Sequence, residues 1–191
     1  MFTEMVDKSA GDAVTLAMWD AIRTNLNAGV MRPVAKVVLS VAAASITFSS
    51  IPADWLDLLL VTRVTGTVAA GAGVRVNGDT GTNYHFCLGL GVGASAVTIS
   101  SASATYFDVG AAPLASSLDR AAAYMWLHDY TSPNHKAVTT FVGESYSGSS
   151  SVMQGGGVYA STSPVTSLSV VATSSTFAAG SAAYLFGIAG V

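Results

Sequence analysis

The chain has 191 residues, and only 10 % of them are charged, against about 25 % in ordinary domains. Its formal net charge is −3, its mean hydropathy is +0.52, and its eight Lys and Arg are scattered, so no basic patch invites a nucleic-acid partner. The single cysteine, Cys87, excludes an intrachain disulfide and a multi-cysteine metal site, and the apolar runs at 34–48 and 182–191 are interrupted or too short to span a membrane.

A chain of this length holds one domain with an appendage, or two very small domains, and a single core of that size needs no disulfide or metal staple. Residues 1–8 carry Glu4 and Asp7 and no apolar stretch, unlike a secretory signal. Scarce charge on a chain rich in Ala, Ser, Thr and Gly favours a surface that an assembly covers, because obligate interfaces resemble a cut core.

Residues 12–27 read as the one clear helix, within an N-terminal anchor segment spanning 1–33. Met18, Trp19, Ile22 and Leu26 share a face, Asp12 or Thr15 can cap the start, and Gly29 follows the end. An isolated amphipathic helix is marginal, so this stripe is expected to act as an assembly anchor. Pro33 separates it from a β domain spanning 34–191.

The pattern then changes to short Val-, Thr- and aromatic-rich runs punctuated by Gly, Ser and Pro. Strands are predicted at 34–41, 45–48, 56–65, 73–76, 84–91, 96–100, 122–128, 136–144, 152–159, 166–172 and 183–188. Asn77-Gly78 signals a hairpin turn. Tyr124, Trp126 and His128 alternate with Met125 and Leu127, while Val138, Thr140 and Val142 alternate with Ala137, Thr139 and Phe141. The Ser/Gly-rich run 145–151 reads as a flexible loop. The predicted fold is mainly β: a β-sandwich, with a jelly roll among its topologies, and one N-terminal amphipathic helix.

Chemistry-bearing clusters are few. His128, Asp129 and His135 are the densest polar group, but their spacing matches no zinc motif and reads as a strand end and turn. Asn77, Asp79, Thr80 and Asn83 offer oxygen donors without the ordered spacing of a calcium loop. Ser145 and Ser147 lack the glycine pattern of a nucleophile elbow. Gly89, Gly91 and Gly93 lack the βαβ setting of a dinucleotide fingerprint, and read as thinning a strand so that another backbone can approach. Nothing singles out two of the eleven acidic residues as a glycosidase pair. Trp55, Tyr84, Trp126, Tyr130, Tyr146 and Tyr159 could form a sugar-stacking platform but read first as core. No catalytic residue, cofactor or metal site is expected.

Several segments in order carry a resemblance. They are Ile46-Thr47-Phe48-Ser49-Ser50-Ile51-Pro52, Asp57-Leu58-Leu59-Leu60-Val61, Val76 through Tyr84, Asp129-Tyr130 before Lys136, Phe177-Ala178-Ala179-Gly180-Ser181 and Tyr184-Leu185-Phe186-Gly187-Ile188. Ala10 through Thr15 with Asn25-Leu26-Asn27 add to them. The chain resembles tailed-bacteriophage virion proteins described as minor tail, tail-fibre or head-decoration proteins. The resemblance implies a non-enzymatic β-sandwich located on the virion, a homo-oligomer (a trimer by analogy) with the major capsid protein as partner. A tail-fibre role would instead bring a host surface glycan as partner.

Overall fold

The computed structural model describes residues 31–113, 120–146 and 149–189. The predicted helix and its stripe of Met18, Trp19, Ile22 and Leu26 lie outside the described residues. Within them the chain is mainly β, with twelve strands in two antiparallel sheets.

The strands are β1 (Met31–Val38), β2 (Ser45–Phe48), β3 (Asp57–Arg63), β4 (Ala70–Val76), β5 (Tyr84–Val92), β6 (Ser95–Ala104), β7 (Phe107–Ala112), β8 (Ala121–Leu127), β9 (Lys136–Tyr146), β10 (Ser149–Tyr159), β11 (Leu168–Ala172) and β12 (Ala182–Ile188). The larger sheet runs β1-β12-β3-β8-β9-β10-β5-β6 and the smaller β2-β11-β4-β7.

The period-2 patterns place the core between the sheets. Ile46, Phe48, Val74, Val76, Phe107, Val109, Leu168 and Val170 come from the smaller sheet. Leu58, Leu60, Leu88, Met125, Leu127, Val138, Val142 and Leu185 meet them from the larger. Val138, Thr140 and Val142 point inward and Ala137, Thr139 and Phe141 outward, so the two alternating sets do lie on opposite faces.

Four expectations are corrected. β1 begins at Met31 and contains Pro33, because an edge strand has an unpaired side where a missing N–H is tolerated; the register shifts between Pro33 and Ala35. Asn77 and Gly78 do form a tight turn with positive φ of 52° and 67°, closed by the Asp79 N–H donating to the Val76 carbonyl at 2.9 Å. That turn carries the chain from one sheet to the other, so it is not a hairpin. Residues 145–151 belong mostly to β9 and β10, whose pairing continues out to Tyr146 and Ser149. Finally, β7 was not predicted at all.

A buried tyrosine fixes the sheet-crossing turn. The Tyr84 hydroxyl accepts the Val76 N–H at 3.0 Å and donates to the Asp79 carbonyl at 2.9 Å, and its ring meets Phe107 edge-on at 5.1 Å. Burial pushes the Tyr84 phenol up to about 12, so it stays a neutral donor at physiological pH.

Candidate binding face

Alternation sends every second side chain of the larger sheet to its outer face. Strand register aligns Tyr184, Val61, Tyr124, Phe141 and Gln154 in one row across five strands. The adjoining row is Phe186, Leu59, Trp126, Thr139, Gly156 and Cys87. On the other side lie Ala182, Arg63, Ala122, Gly143, Val152 and Gly91. Tyr124 is 48 %, Phe141 46 %, Val152 48 % and Val158 37 % exposed.

Charge divides this face in two. The β1–β3 flank carries Lys36, whose ammonium sits 5.4 Å from the Tyr184 ring centre, together with Arg63 and Asp57. From β8 through β9, β10 and β5 to β6, the outer face carries no Asp, Glu, Lys or Arg. A water-facing antiparallel sheet ordinarily shows polar and charged residues there, whereas these strands show uncharged side chains with Tyr124, Phe141, Val152 and Val158 exposed among them.

A polar brace lies at the margin of the two halves. Asp57 Oδ2 accepts the Trp126 indole N–H at 2.9 Å and faces His128 Nδ1 at 3.2 Å, and Oδ1 accepts the Asp129 N–H at 2.8 Å. His128 Nε2 lies 3.3 Å from the Thr139 hydroxyl, and the Trp126 and His128 rings stack with centroids 6.0 Å apart. Burial pushes the Asp57 carboxyl up, but hydrogen bonds from Asp129, Trp126 and His128, with the attraction of His128, outweigh it and hold the group below the usual aspartate value.

Asp57, His128 and Thr139 have the order of a nucleophile relay, yet the setting does not suit acyl transfer. Thr139 sits within β9, paired to Trp126 on one side and Gly156 on the other. Its backbone is occupied by sheet pairing, which leaves no convergent oxyanion donors. The His128 side chain is 41 % exposed, so water is not excluded either. The cluster works instead as a clamp on the β8–β9 turn, where Asp129 holds a positive φ of 47°.

Replacing Asp57 by Ala strands the Trp126 and Asp129 donors and is expected to cost about 2 kcal/mol. Because its folded pKa is depressed, the carboxylate contributes stability above its unfolded pKa, and that contribution is lost as pH falls through the lower folded value. Thermal melts of wild type and Asp57→Ala should therefore differ at neutral pH and converge under strong acid. A constant difference down to the acid limit would remove the clamp role.

The structure separates the other groups the sequence brings to notice. His128 meets Asp57, a partner 71 residues away that the sequence pattern did not flag. The Asp79 carboxylate is already engaged by the Gly81 N–H (2.7 Å), the Asn83 amide (2.8 Å) and the Tyr159 hydroxyl (2.9 Å). Asn77 Oδ1 accepts the Thr166 and Ser167 N–H groups, so these oxygens brace a turn rather than converge on an ion. Ser145 accepts the Arg120 N–H through its hydroxyl at 3.0 Å. A Cβ at Gly89 or Gly91 would meet nothing closer than 3.8 Å, so among the described residues no backbone makes the expected close approach there. Tyr84, Tyr130 and Tyr159 are core and Trp55 and Trp126 half-buried, while among the described residues the exposed large aromatics are Tyr124 and Phe141; the Tyr146 side chain falls outside those described.

One carboxylate pair does emerge. Asp108 on β7 and Glu144 on β9 line a 420 Å³ recess with Leu90, Ile99 and Met153. Burial, with the nearby Glu144 charge, pushes the Asp108 carboxyl up despite the Gly110 N–H that it accepts. Glu144 is committed: it accepts the Ala111 N–H at 2.6 Å and the Ser151 hydroxyl at 2.7 Å, tying the two sheets together.

Among the described residues no group of three or more His, Cys, Asp or Glu is placed to hold a metal ion, and no helix is long and apolar enough to cross a membrane. No family model matches the chain, and no curated protein matches it.

Proposed function

We propose that this chain is a non-enzymatic structural protein of a bacteriophage virion, an oligomeric capsid decoration or cement protein on the particle exterior. The observation that carries the reading is the outer face of β8, β9, β10, β5 and β6, which displays Tyr124, Phe141 and Val152 and no formally charged side chain. A surface of that character is stable in water when neighbouring copies or the major capsid protein cover it. The strand order supports reading the sandwich as a jelly roll. The chain alternates between sheets from β2 to β5, and β2-β11-β4-β7 faces β3-β8 and β5-β6, with the β8-β9-β10 meander standing where one strand would suffice.

A second reading is a tail-fibre or minor tail protein that binds a host glycan. It is favoured by the exposed Tyr124–Phe141 pair beside a 510 Å³ trough lined by Arg63, Arg120, Thr65 and Tyr184, a combination of ring faces and polar groups that suits a sugar.

Quantitative gels and labelled-antibody microscopy of purified particles separate the two. Copies on the head in a number set by capsid symmetry are the expected result. A few copies at the tail would transfer the assignment to the second reading, and absence from particles would overturn both. Phe141→Glu, at an exposed position, should leave the fold intact while lowering head occupancy about tenfold or more, as charging the centre of an interface does.

A further inference from the structure

We infer that the outer edge of β6, which no other strand pairs with among the described residues, is a docking site for the β6 strand of a second copy, joining two larger sheets about a two-fold axis. The inference rests on the assembly reading above and adds to it a second contact surface with a defined partner.

Edge strands expose unpaired N–H and C=O groups, and proteins blunt them with charge, proline, bulges or brevity. Three of the four sheet edges here carry such a device. β1 has Arg32, Pro33, Lys36 and a register shift. β2 is four residues long. β7 carries Asp108 and pairs with β4 through a shifted register at Gly71/Gly73. β6 is ten residues long, Ser95–Ala104, with no charge and no proline. Its one register shift is confined to the far end, between the Tyr84 and Phe86 pairings, and Ser95–Ser101 pairs regularly with β5.

The β5–β6 hairpin also reaches past the smaller sheet. Val92 is 37 % and Val97 56 % exposed although both point to the side that is core elsewhere, and Leu90 and Ile99 are only partly buried. A two-fold axis normal to the sheet keeps both copies' faces on the same side, so pairing would merge the two uncovered apolar strips into one.

Charge indicates the occupant. From Cys87 through Phe107 no side chain is formally charged. Antiparallel self-pairing about a two-fold axis sets residue i against residue j of the other copy and j against i, so a charge near the axis would meet its own like. β6 has none, so self-pairing meets no repulsion. A two-fold contact builds dimers and even-numbered assemblies; a trimer would need a different contact.

The test uses the full chain, by sedimentation velocity and hydrogen exchange across a concentration series. Even-numbered oligomers should form, and the β6 amides that point away from β5, the ones this test follows, should become protected only as concentration rises. Val97→Lys, at an exposed position, should keep the wild-type circular dichroism and weaken self-association about tenfold or more by placing like charges across the axis. Mixing Val97→Lys with Val97→Glu should restore it. A chain monomeric throughout, or β6 amides protected equally at every concentration, would overturn the pairing, the latter because another part of the same chain would cover the edge. If Val97→Lys stays oligomeric while Phe141→Glu dissociates, the β6 inference fails and the assembly reading stands.

Discussion

Replacing Lys136 by Met is expected to lower the thermal midpoint by about 6–12 °C, on the scale of 2–4 °C per kcal/mol for a domain of this size. Lys136 is fully buried at the first position of β9. Its ammonium donates to the carbonyls of Ser132 (2.8 Å), Asn134 and Ser161 (3.4 Å), so one cation satisfies both the β8–β9 turn and the segment after β10. Burial pulls its pKa down, and the attraction of Asp129 opposes that. Met fills the same channel and offers no donor, which leaves three carbonyls without their partner at a cost of about 3 kcal/mol. Differential scanning calorimetry reads this directly. An unchanged midpoint would mean that water serves those carbonyls as well as the lysine does.

Gly157→Ala should be comparably damaging. A Cβ there would lie 2.3 Å from the His85 carbonyl oxygen, 2.9 Å from Phe86 Cβ and 3.0 Å from the buried Phe107 ring. The carbonyl belongs to β5, which is laddered to β10 with Gly157 opposite Phe86, so it cannot withdraw without opening the pairing. Overpacking of this kind costs about 3 kcal/mol or more when backbone must move. Gly143→Ala is the control, since nothing lies within 4 Å of its Cβ, and its midpoint should hold or rise slightly. Equal melts for the two variants would mean that the β10–β5 ladder yields more readily than its geometry indicates.

Local pattern made most strands legible. The alternations in β8 and β9 were enough to sort the side chains into two opposite faces, because a pleated strand has only two, but not to say which face meets the core. β7 escaped notice for a physical reason: Phe107–Ala112 contains Asp108 and a Gly110 held at φ +90°, and it is a strand only because β4 pairs with it. The Asn77-Gly78 turn was legible in its backbone and not in its destination, since positive φ says nothing about which sheet receives the next strand. The candidate face was half visible. Tyr124 and Phe141 each belong to one alternating set, but that both face outward and lie side by side depends on sheet packing and register, and Asp57 reaches His128 across 71 residues of chain. Lys136 opens a strand predicted at 136–144, and its burial is explained by the convergence of two carbonyls from the preceding turn, Ser132 and Asn134, with that of Ser161, 25 residues on.

The strand order also dictates when the molecule can close. β11 lies between β2 and β4, and β12 lies between β1 and β3. Each sheet is thus completed by inserting a strand between neighbours synthesised long before it. A nascent chain that has not yet released β11 and β12 holds β1 and β2 detached from their sheets, so closure is late, non-local and slow. During that interval the uncharged β6 edge is already formed and available. Yield on expression should then depend more on how crowded the nascent chains are than on the stability of the finished sandwich.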